Sequence, residues 1–357
     1  MAAVAQTRQR SAVVDPCRAA FFGLGFVTLA SQTVLLRELF SVLYGSDLAF
    51  AFALASWMVL SAGGALAATG RRVRPAGILL WGNGLYTVVG VAVFLAVRAW
   101  GAQEVIPFHA YLLIPVFLAP LCLLGGMLFP WYLADGALPP ASAYGWEVGG
   151  GLAAGVVCAV LFHQGALGFP LLVGLVPLAA VWAWAGRTGR FAGCLLSGLV
   201  ALGVAAASLG APGQALECLS LRLRLRDGQV VEAASTPVAS LVAVRSPSGL
   251  PAVYENGTPW PAADPTTARA AVAAVLWSLP SECRQAMIVH ASRTGFEPVL
   301  RALSPAAFLR FIETDLAAAG FARRHLGTGG ETSAPAAVPF DARALRAGGG
   351  GWDLAAV

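Results

Sequence analysis

Gln32, Arg37 and Glu38 sit inside an apolar run at 21–43, FFGLGFVTLASQTVLLRELFSVL. An ionisable side chain in a membrane span costs roughly 2.5–3.5 kcal/mol on insertion scales unless it meets a partner or water. Such a set can pair ions inside a helix bundle, line a polar path for a solute, or glue subunits together. Arg37 and Glu38 are sequence neighbours, so on a helix they diverge by about 100° and cannot face one another. Each needs a partner elsewhere. Asp47, opening the next apolar run, and Glu147, early in a later one, are the acids on offer. Arg37 is expected to pair with one of them, or else to snorkel with Glu38 from the end of the span. Asn83 and Tyr86, with Ser56 and Trp57, either extend this polar core or act as helix–helix glue, the commoner use. His163, Gln164 and His109 suggest haem or quinone ligation. Interfacial hydrogen bonding is the favoured alternative, because no second pair completes a bis-histidine set.

Helices long enough to cross a bilayer must position these groups, and each needs about 20 apolar residues. Seven candidates stand at roughly 20–43, 47–69, 76–98, 106–134, 145–166, 168–186 and 191–210. The fourth holds Pro107, Pro115, Pro120 and Pro130, which predicts a kinked or partly re-entrant segment. In the fifth, Gly151 and Gly155 form a small-xxx-small face for close helix approach. Arginines gather in the N-terminal arm (Arg8, Arg10, Arg18), the second connection (Arg71, Arg72, Arg74) and the sixth (Arg187, Arg190). Arg98 lies at a helix edge among otherwise arginine-poor connections. The positive-inside rule then puts the N-terminus in the cytoplasm. Seven crossings place the tail outside; one re-entrant candidate returns it to the cytoplasm, and the sequence leaves both open.

Composition sets the class. The chain of 357 residues is 58% hydrophobic and 11% charged, against about 45–50% and 25% for globular domains. Residues 1–210 carry six acids and 211–357 carry twelve, which predicts a domain boundary near 210–213. The net charge of +5 is modest, and every basic residue is arginine. No basic stripe with interleaved aromatics occurs, which argues against nucleic-acid binding. The six cysteines (Cys17, Cys122, Cys158, Cys194, Cys218, Cys283) are scattered, with no metal, cluster or haem spacing. The arginines before the first apolar run mimic a signal peptide, but the run is too long and more spans follow.

The tail reads as a small α/β unit. LSLRLRLRDGQVVEAAS alternates leucine and arginine with period two, which predicts a half-exposed strand, and Asp227-Gly228 predicts a turn after it. VASLVAVRSPSGLPAVYENG predicts a hairpin. TTARAAVAAVLWSL reads as a helix, QAMIVHA as a strand and FEPVLRAL as a helix. AAFLRFIET reads as a turn and strand, AAAGFARRHL as a helix and WDLAAV as a last strand. The alternation predicts a parallel, nucleotide-binding type of sheet.

These blocks resemble the membrane-bound spermidine-synthase-like proteins of bacteria, which join a multi-helix membrane domain to an aminopropyltransferase-type methyltransferase fold. GFVTLASQTVLLRELFSVLYGSDLAFAFALASWMVLSAGGALA is similar to that family's opening block, and PLCLLGGMLFPWYLA and SAYGWEVGGGLAAG to later ones. In the tail, STPVASLVAV, YENGTPWPAADP, AMIVHASRTGFEPVLRAL, FIETDLAAAGFARRHL and FDARALRAGGGGWDLAAV follow the enzyme's order. The resemblance implies that Glu313 holds the cofactor ribose, that Asp341, with Arg343, marks the adenine contact, and that Asp264 opens the substrate step. Other positions depart from the family pattern. Val238 replaces a substrate-binding tyrosine after Thr236-Pro237. Trp260 replaces an amine-holding glutamine after Gly257-Thr258-Pro259. Pro265 replaces a glutamate, and Ala268-Arg269-Ala270 replaces a Tyr-His-Glu step. His290-Ala291-Ser292-Arg293-Thr294-Gly295 stands where a glycine-rich loop would admit the nucleotide. The family's catalytic aspartate lies past the sequence's last strand, so amine attack lacks its usual base.

The expected architecture is an α-helical integral membrane bundle followed by a small α/β domain, a partial Rossmann-like methyltransferase fold with N-terminal β-hairpins. Residues 1–18 form a cytoplasmic arm, 19–210 the transmembrane domain and 211–357 the truncated enzyme-like domain. The expected place is a bacterial inner membrane, with the lipid bilayer as partner and other membrane subunits or a homo-oligomer beside it. No catalytic residue, metal or cofactor is expected. Decarboxylated S-adenosylmethionine belongs only to the alternative, an aminopropyltransferase completed by another chain. Function is expected to lie in the membrane half, as a membrane-complex subunit or in solute transport, through Gln32, Arg37, Glu38, Asp47, Asn83 and Glu147.

Overall fold

The computed structural model describes residues 16–43, 47–69, 75–100, 108–134, 138–174, 203, 207, 210–225, 228–236, 239–246, 249, 251–260, 285–289, 308–312 and 316–326. Two compact units divide the chain, 1–224 and 225–357. The first holds the helices α1 (Pro16–Val42), α2 (Asp47–Ala68), α3 (Pro75–Trp100), α4 (Phe108–Leu133), α5 (Pro140–His163) and α6 (Ala211–Leu221). Among the described residues, four helices are long and apolar enough to cross a membrane: α1, α2, α4 and α5. A shorter apolar stretch, Gly84–Trp100, belongs to α3. Their mutual surfaces are buried, while Leu48, Met58, Val59, Leu66, Leu152 and Val156 point outward, as lipid-facing residues do.

The contacts fix the direction of each helix. Against α1, α5 runs parallel: Arg18 lies over Trp146, Leu29 packs beside Gly151 and Gly155, and Arg37 lies over Phe162. α3 also runs parallel to α1, since the Tyr86 and Thr28 side chains both pack at Gly125 of α4 and Arg98 reaches Glu38. α4 runs opposite to α1 and α3. Phe21 meets Phe129 and Tyr132 at one end (5.5 and 5.9 Å between ring centroids), and Trp100 meets Phe117 at the other (5.3 Å). This is the alternation that short-looped spans require. α4 continues as helix through Pro115, Pro120 and Pro130, so the predicted re-entrant break is absent from it. Neighbouring helices satisfy backbone groups that proline frees.

Two crossings are tight enough to need glycine. A Cβ on Gly150 of α5 would sit 1.8 Å from the Phe22 carbonyl oxygen. A Cβ on Gly64 of α2 would sit 2.1 Å from that of Leu123. The glycines singled out in sequence, Gly151 and Gly155, instead meet the Leu29 side chain at ordinary contact distance. Their neighbour Gly150 makes the backbone approach.

The tail unit contains a four-stranded antiparallel sheet in the order β1 (Gln229–Ser235), β2 (Ser240–Arg245), β3 (Pro251–Glu255) and β4 (Thr258–Pro259). β5 (Gln285–Val289) and β6 (Phe308–Ile312) form a separate parallel pair, and α7 (Leu316–Leu326) follows. The β2–β3 hairpin lies where the sequence predicts it. The strand expected from the Leu/Arg alternation does not form at its start: 211–221 is helical and β1 begins at Gln229. Leucine and arginine are both good helix formers, and the alternation is too short to oppose a tertiary anchor at Glu217 and Ser220. α6 therefore groups with the membrane helices rather than with the tail. The spans expected at 168–186 beyond 174 and at 191–202 lie outside the described residues. So do the helices expected from TTARAAVAAVLWSL and FEPVLRAL, and the closing strand.

The tail core is small: Ala239, Leu241, Ala243, Val253, Trp260, Ala318 and Phe321. Asn256 (φ 48°) and Gly257 (φ 85°) both take left-handed conformations at the β3–β4 turn, the geometry of a tight two-residue hairpin. Asn256 Oδ1 accepts from Ser240 N–H at 2.9 Å and ties that turn to β2.

Candidate functional site

Arg98 is the centre of the membrane unit's polar chemistry. It lies two residues from the end of α3 and is 1% exposed. Its Nε and Nη2 donate to the two oxygens of Glu38 on α1 at 2.9 and 3.0 Å, a bidentate pair. Nη2 also donates to Glu217, and Nη1 to Ser220 Oγ, both on α6. The guanidinium lies over the Phe94 ring at 4.6 Å. The second oxygen of Glu217 accepts the Phe169 N–H at 3.1 Å. Arg224, just past α6, donates to the Ser41 carbonyl at 2.8 Å and Ser41 Oγ at 3.1 Å. Its guanidinium stands 3.7 Å from Glu38. Ser41 and Ser220 each donate to a carbonyl one turn back, Glu38 and Glu217 (both 2.8 Å), so their oxygens face the arginines as acceptors.

Two carboxylates thus meet two guanidinium groups, and all four carboxylate oxygens have a donor. Arginine keeps its proton in proteins, so this is no proton relay and contains no free base. It can fasten three elements that are far apart in sequence. Because the charges are desolvated, removing one partner strands the others, which typically costs about 3–5 kcal/mol.

The polar groups predicted from sequence fall into this picture unevenly. Glu38 is at the centre. Arg37, half-buried, lies 4.3 Å over the Phe162 ring, and the acids whose charge reaches it are Glu38 and Glu217. Of the two acids expected for Arg37, Glu147 is out of its reach. Phe162 is fifteen residues beyond Glu147, about 22 Å along α5, more than an arginine side chain spans. Glu147 instead marks the α1–α5 crossing, where its carbonyl oxygen occupies the space a Gly25 side chain would need. Asp47 is exposed in the first turn of α2, where a negative charge favours the helix dipole. Gln32 is half-buried on α1. Asn83 lies on α3, but its side chain is outside the described residues. Ser56 donates to the Phe52 carbonyl of its own helix at 2.7 Å, and Trp57 is buried in the bundle. His163 and Gln164 are exposed at the end of α5, while the His109 side chain is outside the described residues.

Arg98, Glu217, Ser220 and Arg224 escaped the sequence reading. Arg98 reads as an edge arginine and Glu217 only as one of the twelve acids of 211–357. The available signal was a lone acid in the otherwise uncharged APGQALECLSL segment.

The tail holds a second charged group. Glu232 on β1 accepts from Arg324 Nη2 at 2.9 Å, and His325 Nε2 lies 2.8 Å from its other oxygen. Partial burial raises the Glu232 carboxyl, but the His325 and Arg324 contacts outweigh this and hold it below the usual carboxylate range. Trp260 is buried, donates its indole N–H to Glu255 at 3.0 Å, and lies in the sheet core. Thr236, also buried, closes the β1–β2 turn by accepting the Ala239 N–H at 3.0 Å. Asp264, Glu313 and Asp341, together with the 290–295 loop, lie outside the described residues. Among the described residues, no group of three histidine, cysteine or acidic side chains could hold a metal. Four long apolar helices make the chain compatible with a multi-pass membrane protein. No family model, curated protein or solved structure matches the chain.

Proposed function

We propose that the chain is a multi-pass inner-membrane protein, similar to the membrane-bound spermidine synthases, that serves as a non-catalytic subunit of a membrane assembly. Trp260 carries this reading. By the resemblance it stands where an amine-holding glutamine would be. Here that indole is 4% exposed, its N–H is taken by Glu255, and it packs in one core with Val253 and Phe321. A side chain committed to the core offers no polar group to a polyamine. Thr236 is likewise committed to a turn. The membrane unit, in contrast, keeps a charge cluster in which every carboxylate oxygen has a donor, and whose chemistry fastens rather than transforms.

One observation favours the alternative, an aminopropyltransferase completed by another chain. Parallel β5 and β6 align Val289 with Ile312, which sets His290 and Glu313 next in sequence after adjacent strand ends. Cofactors bind at such ends in doubly wound sheets. Calorimetry on the purified full chain with decarboxylated S-adenosylmethionine separates the two. The expected result is no binding heat and no aminopropyl transfer to putrescine. Saturable binding, or transfer on adding a partner chain, overturns the non-catalytic reading.

A further inference from the structure

α1 carries the chain from Pro16 to Val42, and its C-terminal end defines one face of the bundle. Glu38 and Ser41 lie within about 6 Å of that end, at 1.5 Å per residue. Arg98 lies two residues from the end of α3, which runs parallel to α1 and so ends at the same face. The contacts of α6 and the turn after it with α1 and α3 gather there: Glu217 and Ser220 on Arg98, and Arg224 on the Ser41 carbonyl. The Phe169 N–H, just after α5, also donates to Glu217. α6 therefore lies across the ends of α1 and α3, on the face opposite Pro16.

α6 is two-sided at this level. Gly213, Glu217, Ser220 and Leu221 turn inward and are buried. Leu216, Leu219 and Leu223 turn outward and are 41%, 60% and 41% exposed. Leu216 and Leu219, at i and i+3, share one face of α6, and Leu223 lies in the turn that follows it. Arg222 is exposed beside them. Leu48, 65% exposed in the first turn of α2, and Phe50, its ring tilted against Phe40 of α1 with centroids 5.0 Å apart, mark the outward apolar surface of the spans at the same face.

We propose that α6 is an interfacial helix, its Leu216 and Leu219, with Leu223 in the turn after it, set in the boundary between lipid headgroups and acyl chains. Arg222 then reaches anionic headgroups, as helices of this kind do. The chain at Arg224 accordingly leaves the membrane from the face opposite Pro16. With the N-terminal arginines holding the first face to the cytoplasm, the chain after Arg224 emerges outside it. The inference rests on the membrane reading and not on whether the tail is catalytic.

Full-length chains fused at Val357 to alkaline phosphatase or to green fluorescent protein test the exit face in cells. Phosphatase activity at least tenfold above the fluorescent fusion's matched control, with a dark fluorescent fusion, is expected. A fluorescent C-terminal fusion with inactive phosphatase overturns the topology. For the lipid contact, a nitroxide is attached to Leu219→Cys in the full chain reconstituted in vesicles containing phosphatidylglycerol. The labelled wild-type chain provides the background of native cysteines. Greater collision with oxygen than with a water-soluble nickel chelate supports lipid occupancy. The reverse order, or protection from both by a protein partner, overturns it. Leu223→Cys repeats the measurement should the first label disturb folding.

Discussion

Arg98 gathers Glu38 and Glu217 from two other helices at 1% exposure, while Glu232 gathers Arg324 and His325 beside a small sheet where solvent enters. Both clusters join a helix to another element. Their energetics differ because water screens one and is shut out of the other. At the sheet, each partner can rehydrate when the other is lost, so the pair adds little. In the bundle, a lost partner leaves charge without water, so the cluster is costly to break in part and much less costly to replace entire. The membrane unit depends on all its polar members at once, whereas the tail depends on its apolar core.

Arg98→Met should break the first half of this contrast hardest, by about 3–5 kcal/mol, because Glu38 and Glu217 are left buried with like charge. Thermal unfolding in detergent measures it. Replacing Arg98, Glu38, Glu217 and Arg224 together with apolar residues should recover most of the loss; an equal or larger loss would mean that the cluster itself stabilises. Trp260→Ala tests the tail's reliance on its core and should cost about 3 kcal/mol, with α7 losing hydrogen-exchange protection while the membrane helices keep theirs. Gly150→Ala should cost roughly 1–3 kcal/mol by forcing α1 and α5 apart, readable as a lower melting temperature. Glu232→Gln should cost less than about 1 kcal/mol.

The Glu232 carboxyl is held below its unfolded value. Its contribution is therefore complete above the ordinary carboxylate range and is lost as pH falls through the depressed value. The protection of α7 amides, taken relative to their intrinsic exchange rates, should stay flat down to the ordinary carboxylate range, then fall, and Glu232→Gln should abolish that step. A step that survives the substitution would assign it to another group.

Much of the membrane unit was legible because apolar length is a strong signal: α1, α2, α4 and α5 stand close to where hydropathy placed them. Glu38 was legible as an ionisable residue inside such a run. Its partner was not, because Arg98 sits where a span meets water and arginines there usually need no explanation. The Leu/Arg alternation before β1 misled for a related reason. Period two over six residues also fits a helix end when tertiary contacts claim Glu217, Ser220 and Arg224. In the tail, Asn256-Gly257 carried a tight-turn signal that the hairpin reading passed over. Nothing in the sequence alone says that Trp260 turns inward; only its neighbours in the core do.

The charge cluster also sets a schedule for biogenesis. Arg98 and Glu38 are sixty residues apart, so they can meet as soon as α3 is in place. Glu217 comes 119 residues after Arg98, which at about 5–20 residues per second means a wait of roughly 6–24 s during translation. Through that interval the bidentate Glu38 pair shields the arginine. α6 then arrives as the final bolt, and a nascent chain truncated before residue 217 should still insert its first helices but remain open to quality-control proteases.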